Sequence, residues 1–136
     1  MDRISAQEQA RRKAIAVHAR RLLLDNLVVQ DADETSLLLH HEGFFLNVSF
    51  SPLHPLMVIH LARGLGEKVG TPKQKALLND LNLKSVLGSH AINGQMGCYT
   101  YRATHWLETE ITLLRFHEIL GRCTEEAQRG HALLMA

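Results

Sequence analysis

Apolar residues along the chain change their period from segment to segment, and each change marks an element. Ile15, Ala16, Ala19, Leu22 and Leu23 recur with helical spacing, while Arg11, Arg12, Lys13, Arg20 and Arg21 fall mostly around the polar side. Ser5-Ala-Gln-Glu8 has capping-box spacing and predicts the start of this helix; Asp25-Asn26, two turn-favouring residues, predict its end. From Thr35 the period becomes two. Leu37 to His41, Phe44 to Phe50 and Leu56 to Leu61 read as three strands, and in the second Phe44, Leu46, Val48 and Phe50 share one face while Phe45, Asn47 and Ser49 share the other. Glu42-Gly43 supplies one turn. Ser51-Pro-Leu-His-Pro55 supplies the next, because two prolines cannot continue a ladder. The three strands predict an antiparallel meander.

Thr71-Pro72-Lys73-Gln74 predicts a second helix start, with Thr71 as N-cap, Pro72 at the first helical position and Gln74 completing the box. Its apolar stripe is short: Leu77, Leu78 and Leu81. Asn79 and Asn82 stand on its last turn, placed to bind backbone groups left unpaired there, before a strand from Val86. Asn93-Gly94 predicts a type I′ hairpin turn joining Val86 to Ile92 with Met96 to Ala103. Leu113, Phe116, Leu120, Cys123, Ala127, Gly130 and Leu134 then trace one stripe along a long closing helix, locally weakened at Gly121. The pattern predicts an α+β fold, an antiparallel sheet of about five strands flanked by helices in the order α-β-β-β-α-β-β-α.

Composition narrows the function classes. A chain of 136 residues with no linker-like tract reads as one domain, residues 1–136. A formal net charge of +1 favours neither nucleic acid nor a membrane surface. The start lacks a signal-peptide pattern and no apolar run is long enough to span a bilayer, so a cytoplasmic protein is expected. Cys98 and Cys123 read as two reduced thiols.

Nine histidines raise the question of metal, but the spacing gives no C-x-x-C, no H-E-x-x-H and no pair of histidines four apart on an expected helix. Gly121 stands where His117-Glu118 would need a second histidine. His40 and His41 are adjacent on a strand and point to opposite faces. Cys98 lacks a nucleophile signature, Cys123 falls on the apolar stripe, and Gly64-x-Gly66-x-x-x-Gly70, followed by Thr71, fits neither phosphate-binding pattern. The expectation is no enzyme, no cofactor and no native metal.

The order of elements, the Asn79-x-x-Asn82 pair leading into Ser85-Val-Leu-Gly88, the hairpin and the closing helix together resemble the YbjN domain family and, more loosely, the class I type III secretion chaperones that share its fold. The resemblance implies homodimeric, non-enzymatic proteins that bind other proteins. The expected function is a chaperone-like or regulatory module holding a segment of a client protein. The short middle helix needs a neighbour to bury its stripe, so Leu77, Leu78 and Leu81 are the expected dimer interface. Phe45, Leu56, Val58, Arg12 and Arg20 are the expected client-binding surface. The alternative is a nucleic-acid-associated adaptor using the basic first helix, although no aromatic residues are interleaved there for stacking.

Overall fold

The computed structural model describes residues 4–67 and 69–136; Lys68, within the glycine-rich connector, lies outside them. Among the described residues the order is α1 (Ala6–Asn26), β1 (Asp31–Ala32), β2 (Ser36–His41), β3 (Phe44–Phe50), β4 (Leu56–Gly64), α2 (Pro72–Lys84), β5 (Gly88–Asn93), β6 (Cys98–Trp106) and α3 (Leu113–Met135). The strands form one antiparallel sheet in the spatial order β1-β2-β3-β4-β6-β5. The α+β class is as the pattern predicts. The expected α-β-β-β-α-β-β-α order of about five strands is corrected to six, because β1 precedes the meander. Asp33 Oδ1 accepts the amides of Thr35 at 2.9 Å and Ser36 at 2.8 Å, folding the chain back so that the Gln30 amide reaches the Leu38 carbonyl at 2.8 Å. A two-residue polar strand carries no alternation to read.

The caps behave as their local chemistry requires. Ser5 accepts the Glu8 amide, and Thr71 and Gln74 form a reciprocal capping box with Pro72 at the helix start. The turns redistribute. Glu42 and Gly43 have φ of 48° and 86°, the positive pair that a type I′ turn needs, so His41 faces Phe44 across a two-residue loop. Asn93-Gly94 does lie at a hairpin tip, but the expected two-residue turn is replaced by a connection over residues 94–97 with its positive φ at Gly97. Asn93 pairs with Cys98, Tyr99, Tyr101 and Ala103 of β6 turn inward, and the Asn93 side chain accepts the Met96 amide at 3.1 Å across the loop.

One sheet face carries the core: Leu37 and Leu39 from β2, Phe44, Leu46, Val48 and Phe50 from β3, Met57, Ile59 and Leu61 from β4, and Tyr99 and Tyr101 from β6. α1 packs on β2 and β3 with Ile15, Ala16, Ala19 and Leu23, while α3 packs on β4, β5 and β6 with the stripe from Phe116 to Leu134. α2 lies at the margin against β5 and α3. Along its length only Gln74 is buried, and Gln74 Nε2 donates to the Leu134 carbonyl at 3.1 Å.

Candidate protein-binding site

Val17 and Leu53 are large apolar side chains in positions that the sequence makes polar, and they face each other across a groove. Val17 lies off the buried stripe of α1 and is 56% exposed; Leu53 projects from the β3–β4 turn and is 60% exposed. Between them lies a groove of about 560 Å³ floored by Phe50 and Ala16, with Ala6 and Ala10 along the helix wall and Lys13, Arg20 and Glu34 at the rim. Small helix residues let a ligand approach the α1 backbone closely, and Pro52 stiffens the opposite wall. Apolar walls with a few charged groups at the rim suit an extended peptide bearing apolar side chains.

The basic face of α1 is largely engaged within the protein. Arg12 Nη1 donates to the Leu53 carbonyl at 3.1 Å, and Arg20 Nε donates to the Asp33 carbonyl at 2.8 Å, with Nη2 joining the same oxygen. The two arginines thus brace α1 against the turn on one side and the β1–β2 connection on the other. Arg11 reaches the Glu108 carbonyl at 2.6 Å, and Arg11 and Arg12 together clasp Glu8, whose carboxyl is held down to about 2 by hydrogen bonds from both. Free cations aimed at phosphate are not what Arg11, Arg12 and Arg20 provide.

Phe45, Leu56 and Val58 are placed elsewhere, on the sheet face that no helix covers among the described residues. Register aligns His40, Phe45, Ala62 and Thr100 in one row, Leu38, Asn47, His60 and Arg102 in the next, then Ser49, Val58 and Thr104, and finally Leu56 beside Trp106. Trp106 is 68% exposed, so one end of this face is apolar and its middle is polar. The expected client-binding set is therefore divided: Arg12 and Arg20 flank the groove on the helical side, while Phe45, Leu56 and Val58 belong to the open face. Val17 and Leu53 were not singled out from sequence. Their signal was an apolar residue amid the polar side of α1 and another inside a turn.

Leu77, Leu78 and Leu81 share one arc of α2 with buried Gln74, and each is half-buried. Leu77 and Leu78 pack partly on the chain's own core, so the arc serves that core and leaves some apolar surface uncovered. Leu83 points to the opposite side and is 76% exposed. Asn82 does not cap its own helix as expected. Its carboxamide instead brackets His90 of β5, accepting that residue's amide at 2.7 Å and donating to its carbonyl at 3.0 Å. β5 also begins at Gly88 and not at Val86, because the amides of Val86, Leu87 and Gly88 turn toward Glu126 of α3 at 2.8, 3.2 and 3.2 Å. The same carboxylate accepts the Tyr101 hydroxyl at 2.5 Å.

His90 sits inside this cluster, with Nε2 at 2.8 Å from Ser85 Oγ and Nδ1 at 2.5 Å from the Tyr99 hydroxyl. Burial pushes its pKa down against the opposing pull of Glu126; His60 and His105 are lowered too, first by burial and then by Arg102 and Arg115 respectively. A lowered folded-state value means that the unfolded chain takes up protons more readily. The stability these histidines contribute is thus complete above about pH 6.5 and is lost as pH falls through their folded values. Glu126 adds to the loss at lower pH: burial raises its pKa, but Tyr101 and the three amides outweigh that and hold it low. We expect the urea midpoint to fall steadily from pH 7.5 to pH 5; a flat profile would contradict a neutral His90 in the buried cluster and lowered values at His60 and His105.

Reaction chemistry is poorly served by these arrangements. Cys123 lies 3.8 Å from His105 Nε2, but the thiol is buried and pushed up to about 11 by that burial, which suppresses the thiolate. His40 is exposed, its ring tilted against Phe45 with centroids 4.6 Å apart, and His41 is half-buried. Among the described residues no three His, Cys, Asp or Glu side chains are grouped to hold a metal ion, and no helix is long and apolar enough to cross a membrane. A second hollow, of about 730 Å³, lies between Trp106, the β6–α3 connection and the start of α3. Its rim mixes Glu108, Glu110 and Glu118 with Arg115 and Arg122 and so presents no single charge.

Solved structures supply the comparison. The HopA1–SchA chaperone–effector complex contains a chain that aligns over 95% of this protein and 99% of its own length, at 10% identity and a TM-score of 0.59. The Yersinia pestis type III secretion chaperone SycH, solved with a fragment of YscM2, aligns over 85% of this chain and 98% of its own at 8% identity and a TM-score of 0.58. The fold is that of the type III secretion chaperones. YbjN from E. coli has the same chaperone-like fold, covering 82% of this chain and 84% of its own at 12% identity and a TM-score of 0.57. No protein-family model and no curated protein matches the sequence. At such identities the likeness concerns the path of the chain and leaves the groove residues to be read on their own chemistry.

Proposed function

We propose that this chain is a non-enzymatic, single-domain, chaperone-like module of the cytoplasm that holds an extended apolar segment of a client protein. The groove between α1 and the β3–β4 turn is the observation that carries this reading, because Val17 and Leu53 leave apolar surface exposed above the Phe50 floor on a braced scaffold. The fold supports it: chains of this shape have been solved in a chaperone–effector complex and in a secretion chaperone bound to a fragment of another protein. A homodimer formed through the half-covered arc of Leu77, Leu78 and Leu81 completes the reading, with each protomer offering one groove. Phe45, Leu56 and Val58 extend the client surface over the open sheet face.

A charge placed in the groove tests this. Leu53→Asp and Val17→Asp alter exposed side chains, so folding should be nearly unchanged while the aspartate must be desolvated under a bound client. We expect each to reduce recovery of co-purifying client from native extract by roughly tenfold or more. Retention equal to the unmodified protein would reject the groove, and loss only with Phe45→Asp would move the site to the open sheet face. The adaptor reading, in which α1 contacts nucleic acid, predicts salt-dependent binding of short DNA or RNA, and absence of binding at low salt eliminates it.

A further inference from the structure

β5 ends the sheet, so its outer backbone row has no strand beside it among the described residues. A strand in that position is a template for another chain. Its sequence, Gly-Ser-His-Ala-Ile-Asn, contains neither proline nor a carboxylate, lysine or arginine to discourage pairing. α2 packs along this margin, and the groups that meet the outer row directly are two side chains. His90 turns its amide and carbonyl away from β6, and the Asn82 carboxamide meets both, at 2.7 and 3.0 Å, presenting one acceptor and one donor as a residue of a neighbouring strand would. Two residues earlier, on the same side of the strand, the Gly88 amide is taken by Glu126 at 3.2 Å. Ile92 is the one position of that parity left before the turn. Asn82 comes from α2 and Glu126 from α3, so two helices contribute to closing one edge.

We infer that Asn82 and Glu126 are edge guards: they close β5 against strand pairing with the β5 of a second copy of this chain, and so keep self-association away from the sheet margin. The occupant excluded is another copy because β5 pairing with itself is two-fold and self-complementary, with Gly88, His90 and Ile92 of each copy offering outward groups to the other. Association through the α2 arc, if the dimer reading holds, uses a different surface and is unaffected by this inference.

The test compares Asn82→Ala and Glu126→Gln with the unmodified protein and with Asn79→Ala, an exposed change on the same helix. Amide hydrogen exchange and sedimentation velocity are measured at matched concentrations. Exchange at His90 in Asn82→Ala should quicken roughly tenfold, the loss of about one net hydrogen bond. Both edge variants should show larger species than the unmodified protein at high micromolar concentration, with the His90 amide protected again in those species. Asn79→Ala should match the unmodified protein in both. Because each variant is read against the parent's own size distribution, the result does not depend on whether the parent is a monomer or a dimer. The inference is overturned if the His90 amide opens in Asn82→Ala while both folded variants keep the parent's size, or if new association appears with the His90 amide still exchanging freely. Glu126→Gln keeps the side chain's shape, so it carries the test should Asn82→Ala unfold.

Discussion

Gly130→Ala should destabilise the protein by roughly 3 kcal/mol, lowering its melting temperature by about 10 °C, whereas Gly121→Ala in the same helix should raise it slightly. A Cβ on Gly130 would stand 2.6 Å from His90 Nδ1 and 2.7 Å from the Tyr99 hydroxyl. Both atoms belong to the buried cluster and are bonded to each other, so neither can retreat without breaking that bond. Overpacking costs about 1–3 kcal/mol, an orphaned buried polar group a further 1–3, and the helix gains back only about 1 from alanine. Around Gly121 a Cβ meets nothing within 4 Å, so only the gain of about 1 kcal/mol remains. Thermal unfolding of the two variants reads this directly, and equal shifts of the same sign would mean that His90 and Tyr99 do not hold the positions described.

If the proposed homodimer forms through the α2 arc, Leu77→Glu and Leu78→Glu should each shift it to monomer, weakening association by roughly 100-fold or more, because a two-fold contact places each new carboxylate in the interface twice. Each leucine is half-buried against the chain's own core, so near-ultraviolet circular dichroism must show that the monomer remains folded. Leu83→Glu provides the contrast. It lies on the other side of α2 and is exposed, so it should leave the dimer intact if the shared arc is the interface. Dissociation by Leu83→Glu alone would place the contact on the outer side of the helix. A parent that sediments as a monomer at high micromolar concentration would remove the dimer and leave one groove per client.

Features decided by neighbouring residues were legible in the sequence. Ser5 with Glu8 and Thr71 with Gln74 set helix starts through contacts three residues apart, and the alternation from Phe44 to Phe50 fixed which face of β3 is buried. Legibility failed where the deciding partner is distant. Nothing in Ser85-Val-Leu-Gly88 announces that its amides belong to Glu126, 38 to 40 residues further on, and this capture is what delays β5 to Gly88. Asn82 does bind backbone, as its sequence position suggests, but the backbone is that of His90 and not of its own helix end, which lies nearer in sequence. Arg12 and Arg20 looked like solvated or phosphate-seeking charges because backbone carbonyls, the acceptors they found, leave no trace in residue identity. Two hairpin signals were read correctly as turns, yet only Glu42-Gly43 took the two-residue form; at Asn93-Gly94 the loop runs to Gly97, which supplies the positive φ, and the Asn93 side chain bridges it to the Met96 amide.

Site-specific photo-crosslinking in the native cell tests the client groove most directly. A photoreactive residue at position 53, on the groove rim, is compared with one at position 121, on the exposed side of α3. A client groove between α1 and the β3–β4 turn predicts that position 53 yields adducts concentrated in one or a few client proteins, that the crosslinked peptides carry apolar side chains in an extended run, and that Val17→Asp abolishes these adducts. Equal adducts at positions 53 and 121, or adducts at 53 that persist with Val17→Asp, would contradict it.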